Sequence, residues 1–345
     1  MITMHTFTMP TLGADMEAGT LVSWRKQPGD TVSRGDVIAE VDTDKGVIDV
    51  EVFAEGTLDE ILIEPGTRVP VGTPLATIRE LAEGGAGFGT SPESPRAVLS
   101  PRPTPEKPTA AAPTAPSSAG APTDRLDRMR HAIAAAMTRS KREIPHYYLS
   151  TTIDLKRVIV WLDHENESRP PERRLLPGVL LLKAAAMALR KVPELNAVWE
   201  DDAVQLRSEI HVGLTISLRS GGLVILAIHD MPSRGLDDLM ATVRDLTERA
   251  RTGRIKSSEL ADSTITVTNL GDRGVEEVFG VIYPPQVALV GFGRIVERPW
   301  AIDGGLYVRP VVRATLSADH RASDGHRGGL YLEAIDALLQ EPEKL

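Results

Sequence analysis

The chain has no cysteine, no surplus of positive charge and no long apolar run, and each absence excludes a class of function. Without cysteine among the 345 residues, disulfides, thiolate metal sites and a cysteine nucleophile are excluded, so any thiol must come from outside the polypeptide. The net charge of −9 argues against nonspecific nucleic-acid binding. No apolar run approaches the roughly 20 residues of a membrane span, and the N-terminus lacks signal-peptide features. We therefore expect a cytoplasmic protein without a nucleic-acid or membrane partner.

A change of composition divides the chain into two units. Residues 90–123 are dominated by proline, alanine, serine and threonine, and a glycine-rich stretch precedes them. Such a segment cannot bury enough apolar surface to offset its ordering entropy, and its prolines favour extended polyproline II. The sequence predicts a tether over residues 81–123 that joins a first unit, 1–80, to a second unit, 124–345. A spacer with no other task is the alternative.

The first unit contains an internal repeat. Lys26–Val41 (KQPGDTVSRGDVIAEV) aligns with Ile63–Ile78 (IEPGTRVPVGTPLATI) at a constant offset of 37 residues. Each copy has a Pro-Gly turn, a short strand, a glycine turn and a second strand, which predicts an all-β sandwich of two quasi-symmetric small sheets. Lys45 falls between the copies, in a tight turn that should form a hairpin tip. A lone lysine at such a turn usually serves solubility.

With Asp44-Lys45 at this tip and the Pro-Gly repeats around it, residues 1–80 resemble the lipoyl domain of 2-oxo-acid dehydrogenase complexes. The resemblance implies that a lipoate ligase attaches lipoate to the Lys45 amine. Biotin-carrier domains usually have methionines beside the lysine, so Asp44 and Gly46 favour lipoate, although the family usually has alanine at the position of Gly46. The unit has fourteen acidic and six basic residues. This excess is either a solvated surface or a means of orientation toward basic rims of partner active sites.

The second unit alternates helical and strand patterns, which predicts one α/β domain. Apolar spacing predicts helices over 125–141, 235–250 and the C-terminal stretch, and we expect Asp124 and Ser233 to be caps or pre-caps. Strand patterns occur in YYLSTTIDL, HVGLTISL, STITVTNL, QVALVGFG and VRPVVRATLSA.

The last strand pattern runs into a turn that contains His320 and, four residues later, Asp324. The HxxxD spacing alone is weak evidence, and a metal site would need more ligands than this stretch offers. The longer string SADHRASDG is more specific, and with it the unit resembles the catalytic domain of the dihydrolipoamide acyltransferases, which has the chloramphenicol acetyltransferase fold. Further matches follow in the same order: RMRHAIAAAMTRSKREIPHYYLS, LLLKAAAMALRKVPELNAVW, TVTNLGDRGVEEVFGVIYPPQVALVGFG and EPEKL.

The resemblance implies transfer of an acyl group from a dihydrolipoyl sulfur to the thiol of coenzyme A. His320 would be the base, because imidazole titrates near neutral pH. The Thr268 hydroxyl, at the usual serine position, would stabilise the oxyanion. Asp324 would organise the site, with an arginine such as Arg130 as its ion-pair partner. Other polar residues of the matched stretches are expected to be structural or at the surface: Asn269, His146 and His326.

The implied assembly is a homotrimer with active sites between subunits, so that His320 and Thr268 belong to different chains. Whether trimers join into a cubic or icosahedral core stays open, because related chains use a few apolar residues beyond EPEKL for that contact. The implied partners are a thiamine-dependent 2-oxo-acid dehydrogenase and dihydrolipoamide dehydrogenase. No peripheral-subunit-binding domain is expected, since SPRAVLSPR (94–102) matches only the start of one. The acyl group stays open among acetyl, succinyl and branched-chain groups.

Two departures from the family pattern support an alternative function. Leu226 stands where the family commonly has proline near the coenzyme channel, and Thr268 replaces serine. The alternative is therefore a lipoyl carrier and assembly scaffold with weak or no transferase activity, against which the intact His320 and Asp324 count. A third possibility, a condensation-type HxxxD acyltransferase, usually needs a longer two-lobed chain and has no lipoyl domain.

Overall fold

The computed structural model describes two folded units and the contact between them. It covers residues 4–12, 16, 18–43, 46–79, 122–218, 222–271 and 274–345, with the backbone alone at 46, 122–130 and 132. Lys45 and nearly all of the predicted tether lie outside these ranges. Among the helices that are described, none is long and apolar enough to cross a membrane.

The first unit is a sandwich of two small sheets. Its described strands are β1 (Met4–Thr8), β2 (Ala18–Trp24), β3 (Thr31–Val32), β4 (Val37–Thr43), β5 (Gly46–Glu51), β6 (Gly56–Ile61), β7 (Arg68–Pro70) and β8 (Pro74–Arg79). One sheet has the order β1-β8-β6-β3, and the other contains β5-β4-β2-β7. Alternate residues of the strands point inward, as in β4, where Ala39 and Val41 are fully buried.

The sequence repeat corresponds to a structural two-fold symmetry. The Gly29 N–H donates to the carbonyl of Leu58 at 2.8 Å. The Gly66 N–H, 37 residues further on, donates to the carbonyl of Leu21 at 2.7 Å, and Leu21 and Leu58 are themselves 37 apart. Both glycines have φ near +90°, a conformation that favours glycine. The predicted quasi-symmetric sandwich is therefore confirmed.

Strands β4 and β5 form the predicted hairpin. They pair antiparallel up to Thr43 and Gly46. Asp44 and Lys45, which join these two residues in the sequence, lie outside the described residues. The strands on both sides of the candidate lysine are thus part of the folded sandwich.

The second unit contains the remaining elements. Its helices are α1 (Pro122–Glu143), α2 (Lys156–Glu167), α3 (Pro177–Ala188), α4 (Leu236–Thr252), α5 (Ser257–Ala261) and α6 (Gly325–Leu339). Its strands are β9 (His146–Asp154), β10 (Ala197–Glu200), β11 (Ala203–Leu206), β12 (Val212–Ser217), β13 (Leu223–Ile228), β14 (Ile255–Lys256), β15 (Ile265–Asn269), β16 (Ala288–Phe292), β17 (Val296–Ile302) and β18 (Gly305–Asp319).

A mixed sheet forms the centre of this unit, with the order β13-β12-β15-β16-β18-β17, and β9 also pairs with β18. Strands β12, β15 and β16 run parallel, whereas β18 is antiparallel to β16 and to β9. The apolar core joins the sheet to α2, α3, α4 and α6. Helix α3 is buried on nearly all sides, and the ammonium of its Lys183 donates to the carbonyls of Pro232 and Met231. The predicted α/β fold is confirmed.

Neither Asp124 nor Ser233 is the N-cap of its helix, although Ser233 lies two residues before the N-cap of α4. Helix α1 begins at Pro122, which places Asp124 inside the helix, because the fixed φ of proline suits a first helical position. Gly235 is the N-cap of α4. Ser233 ends a 3₁₀ turn, where its hydroxyl donates to the Asp230 carbonyl at 2.8 Å.

The two units are in contact through the short strand β14. It pairs parallel with β5, so that the sheet of the first unit continues into the second as β14-β5-β4-β2-β7. Leu260 of α5 packs against the apolar cores of both units.

Candidate active site

The turn that follows β18 carries His320 between two fixed neighbours. Asp319, the last residue of the strand, is fully buried, and its carboxylate accepts hydrogen bonds from Arg321 Nε at 3.0 Å and Nη2 at 2.7 Å. The Arg321 guanidinium lies over the Trp199 ring, 4.1 Å from its centroid. A buried carboxylate needs such a partner to offset its lost hydration. The Asp319–Arg321 pair therefore holds the backbone on either side of His320.

The side chain of His320 is exposed and flanked by an aromatic ring. Its backbone N–H donates to the carbonyl of Pro145 at 3.0 Å. Its imidazole meets the Tyr147 ring edge to face, with the centroids 5.5 Å apart. The Tyr147 hydroxyl hydrogen-bonds to Ser323 Oγ at 2.8 Å, and burial raises the pKa of Tyr147. The imidazole is thus oriented from one side and accessible from the other.

Asp324 begins the next helix. Its carboxylate accepts a hydrogen bond from the Arg327 backbone N–H at 2.9 Å and so caps α6. That hydrogen bond is the main reason why the pKa of Asp324 is lowered, with smaller contributions from His326 and His320. The Arg327 guanidinium instead pairs with Glu194 at 2.9 Å. The predicted Arg130 partner has its side chain outside the described residues.

Thr268 lies half-buried on β15, at a crowded position of the sheet. It is opposite Gly291 of β16. A Cβ atom at Gly291 would be 2.4 Å from the carbonyl oxygen of Val278, so glycine allows the segment that contains Val278 to cross this strand closely. Asn269, the next residue, accepts a hydrogen bond from the Gly271 N–H at 2.9 Å, a contact that supports the loop.

One chain does not bring Thr268 and His320 together. Gly291, the partner of Thr268, pairs on its other side with Thr315 of β18. His320 follows Thr315 by five residues, which at roughly 3.3 Å per residue is about 16 Å along the strand. Two strand spacings of about 4.8 Å separate the residues laterally. Groups that share one reaction centre must lie within a few ångströms, so a single chain does not form a site from both residues.

His146 has a structural environment. Its Nδ1 lies 2.9 Å from the Ile144 carbonyl, and its Nε2 accepts a hydrogen bond from the Ile282 N–H at 3.2 Å. The acceptor role of Nε2 leaves the proton on Nδ1, which donates to Ile144. Burial lowers the pKa of His146, because the charged form would lose hydration. His326, in the first turn of α6, is exposed.

Leu226 is a core residue. It lies on β13 opposite Leu214, is fully buried, and belongs to the apolar core of the second unit. The position at which the family commonly has proline is thus filled here by a strand residue whose side chain packs inside the domain.

Some residues of this site could not have been found from the sequence. Asp319 and Arg321 adjoin His320, so their positions in the string SADHR were a usable signal. Trp199 and Tyr147 are more than 100 residues away in the chain, and nothing in their local sequence indicates that they meet this turn. Trp199 and Arg321 together line a cavity of about 340 Å³ beside the turn that carries His320.

Comparison with protein families covers both units. The family model described as 2-oxoacid dehydrogenases acyltransferase (catalytic domain) matches residues 120–345. The model described as biotin-requiring enzyme, which includes lipoyl domains, matches residues 5–78. The two matches coincide with the two folded units.

Individual relatives match nearly the whole chain. One is the dihydrolipoyllysine-residue acetyltransferase component of the Schizosaccharomyces pombe pyruvate dehydrogenase complex, 28% identical, over 98% of this chain and 88% of that protein. Another is the dihydrolipoyllysine-residue succinyltransferase component of the Rickettsia conorii 2-oxoglutarate dehydrogenase complex, 26% identical, over 98% of both chains. A crystal structure of a probable dihydrolipoamide acetyltransferase from Listeria monocytogenes superimposes with a TM-score of 0.59 at 29% identity, over 62% of this chain and 92% of that one.

Proposed function

The chain belongs to the family of 2-oxoacid dehydrogenase acyltransferases, and on that premise we propose that it transfers an acyl group from an S-acyl-dihydrolipoyl arm to the thiol of coenzyme A. The observation that carries the proposal is the turn after β18, where the ion pair of Arg321 with the buried Asp319 presents an exposed His320. The same chain has a lipoyl-type unit that would supply the acyl group. Both halves of a thioester exchange are thus present in one polypeptide that has no thiol of its own.

Three residues have separate roles in the proposed reaction. His320 accepts the proton of the coenzyme A thiol, which makes the sulfur nucleophilic, and returns a proton to the dihydrolipoyl sulfur that leaves. The Thr268 hydroxyl donates a hydrogen bond to the thioester oxygen as negative charge develops there. Asp324 acts through position: it caps α6 and so fixes the turn that carries His320. Its predicted ion pair with Arg130 stays a prediction.

The first unit fits a covalently attached lipoyl group at Lys45. Thr43 and Gly46 pair across the hairpin, so the strands on both sides of Lys45 in the sequence belong to a rigid sandwich. When bound, the lipoyl group supplies the sulfur that carries the acyl group. The chain's own contribution is the Lys45 amine and the folded strands beside it.

A homotrimer would resolve the separation between Thr268 and His320. Within one chain, the positions of Thr268 and His320 along the direction of β18 differ by about 16 Å. If three copies associate around a three-fold axis, His320 of one copy can face Thr268 of the next. The same proposal includes a larger cubic or icosahedral assembly and docking of the thiamine-dependent dehydrogenase and of dihydrolipoamide dehydrogenase. It also includes modification by a lipoate ligase and a cytoplasmic location.

The test is acyl transfer from free S-acyl-dihydrolipoamide to coenzyme A by the purified full chain. Acetyl and succinyl donors are compared, because relatives named for each match 98% of the chain. His320→Ala should lower kcat by about 10²- to 10⁴-fold, the usual effect of a lost general base. The control is His326→Ala, which removes an exposed histidine of the same turn region and should leave kcat unchanged.

Normal turnover in His320→Ala would refute this mechanism. If the unaltered protein shows no transfer with either donor but becomes lipoylated, the result favours the lipoyl carrier and scaffold.

A further inference from the structure

The contact between the units joins the edge of one sheet to a strand of the other. Strand β5 is the last strand of the lipoyl-type sheet on its side, and β14 pairs with it in parallel, Ile255 opposite Ile48 and Lys256 opposite Asp49. An edge strand has backbone N–H and C=O groups free to pair, so addition of a strand is a recurrent mode of protein recognition. Ile48 and Ile255 are both buried where the strands meet.

Glu51, the last residue of β5, makes the most specific part of this contact. Its side chain is only 7% exposed. One carboxylate oxygen pairs with the Lys256 ammonium at 3.2 Å, and the other accepts a hydrogen bond from the Ser258 hydroxyl at 2.5 Å. The Glu51 backbone N–H donates to Ser257 Oγ at 3.2 Å. All three partners belong to the second unit, so Glu51 exchanges its hydration for these protein contacts when the two units come together.

The second unit holds its side of the contact in place by its own interactions. Both carboxylate oxygens of Glu259 accept hydrogen bonds from the Arg249 guanidinium, and one also accepts from the Lys256 backbone N–H at 3.1 Å. Leu260 packs into both apolar cores. The Lys256 backbone is therefore fixed from the catalytic side while its side chain reaches Glu51.

The character of the contact suits reversible association. Glu51 is buried whereas Lys256 is 42% exposed, and in such an ion pair the attraction is largely offset by desolvation of the buried carboxylate, so the pair confers selectivity more than affinity. The interface is also incompletely closed, since a cavity of about 470 Å³ lies between Thr11 of the first unit and residues of the second such as His211 and Gln286. Residues 80–121, 42 in number, join the units. Because the two units are linked in one chain, the effective concentration of the first unit at the second is on the order of millimolar. A weak contact would therefore be substantially occupied.

We propose that β14 and α5 (residues 255–261) form a docking site for the lipoyl-type unit of the same chain, which recognises the free edge of β5 and the Glu51 carboxylate. The excess of fourteen acidic over six basic residues in 1–80 favours approach to the positive Lys256. Docking fixes β5, whose first residue, Gly46, directly follows Lys45. The site thus holds the carrier lysine near its own catalytic domain between visits to other active sites.

The absence of cysteine makes a direct test possible, because the two introduced residues will be the only cysteines of the chain. The register continues by one residue to Val47 and Arg254, so Val47→Cys with Arg254→Cys places the thiols on neighbouring strands while Glu51 and Lys256 stay intact. The control pair is Val22→Cys with Arg254→Cys, since Val22 is exposed on β2, two strands away from β5. The full chain is oxidised and intramolecular disulfide formation is followed by peptide mass spectrometry.

We expect the Val47 pair to close at least about tenfold faster than the Val22 pair, as proximity predicts. Adding Glu51→Gln or Lys256→Gln should each slow closure toward the control rate, and exposed Glu55→Gln should not. Because Lys256 belongs to the other unit, its effect cannot come from misfolding of the lipoyl-type unit. Equal rates for the two pairs would overturn the docking site, and fast closure insensitive to both substitutions would overturn its recognition of Glu51.

This experiment is independent of the transfer assay. Transfer from free acyl-dihydrolipoamide does not require the docked position, so the docking site can fail while the proposed catalytic function holds. Equally, a chain without transferase activity can still close the Val47 disulfide.

Discussion

Thr268 differs from the usual serine by one methyl group, and its half-buried hydroxyl is the group on which its proposed role depends. Thr268→Val keeps the shape and removes the donor, whereas Thr268→Ser keeps the donor. We expect Thr268→Val to lower kcat about 10²- to 10³-fold, the usual effect of losing one oxyanion donor. Thr268→Ser should stay close to the unaltered protein. Steady-state kinetics with free donor measures both, and an active valine variant would remove Thr268 from the mechanism.

His146 should make stability depend on pH. Burial lowers its pKa in the folded chain, so between the folded and unfolded pKa values the unfolded chain binds more protons. Its contribution to stability is therefore full above an unfolded pKa of about 6.5 and is lost as pH falls through the folded pKa. The difference in Tm between the unaltered protein and His146→Gln should shrink as pH falls from 8 to 5. His164→Gln, at an exposed position, is the control for the loss of a histidine.

At the scale of elements, the N-terminus of α6 carries the predicted organiser of the site. Asp324 caps the helix through the Arg327 N–H, and asparagine caps as well as aspartate whereas alanine does not. Tm should therefore be similar for the unaltered protein and Asp324→Asn, and lower for Asp324→Ala. Thermal denaturation measures the three Tm values. The kcat of Asp324→Asn then shows whether activity needs the charge of Asp324 or only its helix cap, because asparagine keeps the cap and removes the charge. A stable but inactive Asp324→Asn would mean that the charge itself is needed.

The crossing of residues 274–280 over β16 depends on glycine. A Cβ at Gly293 would lie 1.8 Å from the carbonyl oxygen of Glu276, and backbone atoms cannot move aside without displacing the segment. We expect Gly293→Ala to lower the free energy of unfolding by about 1–3 kcal/mol, as overpacking does. Gly329→Ala, in open space on α6, should raise it by up to about 1 kcal/mol. Urea denaturation measures both, and equal effects would contradict the close crossing.

The elements themselves were largely predictable, whereas their junctions were not. The Pro-Gly repeat predicted the sandwich because each glycine turn requires a conformation that few other residues adopt. Alternating and helical patterns located β9, β12, β15, β16 and α4 because these elements are long enough to show a period. Strand β14 has two residues and therefore no period, so its pairing with β5 had no sequence signal. The distance between Thr268 and His320 is set by strand register, which local sequence does not specify.

At the scale of the whole molecule, a site shared between subunits should permit complementation. In a mixed trimer of His320→Ala and Thr268→Val chains, some interfaces combine the intact His320 of one chain with the intact Thr268 of its neighbour. If equal amounts of the two variants mix at random, about a quarter of the sites should regain activity, because His320 is intact in half of the chains and Thr268 is intact in the other half. The two variants are denatured together, refolded and assayed. Activity no higher than the mean of the separate variants would place both residues in one chain's site.

The reciprocal hydrogen bonds of the repeat have a consequence for how the first unit unfolds. Gly29 in one copy is held by Leu58 in the other, and Gly66 by Leu21 in return. Neither half can keep its turn closed when the other half is lost, since both turns would then leave a backbone group unpaired. The unit should therefore melt as one cooperative block with no stable half, so that thermal stress leaves Lys45 in either an intact sandwich or an unfolded chain.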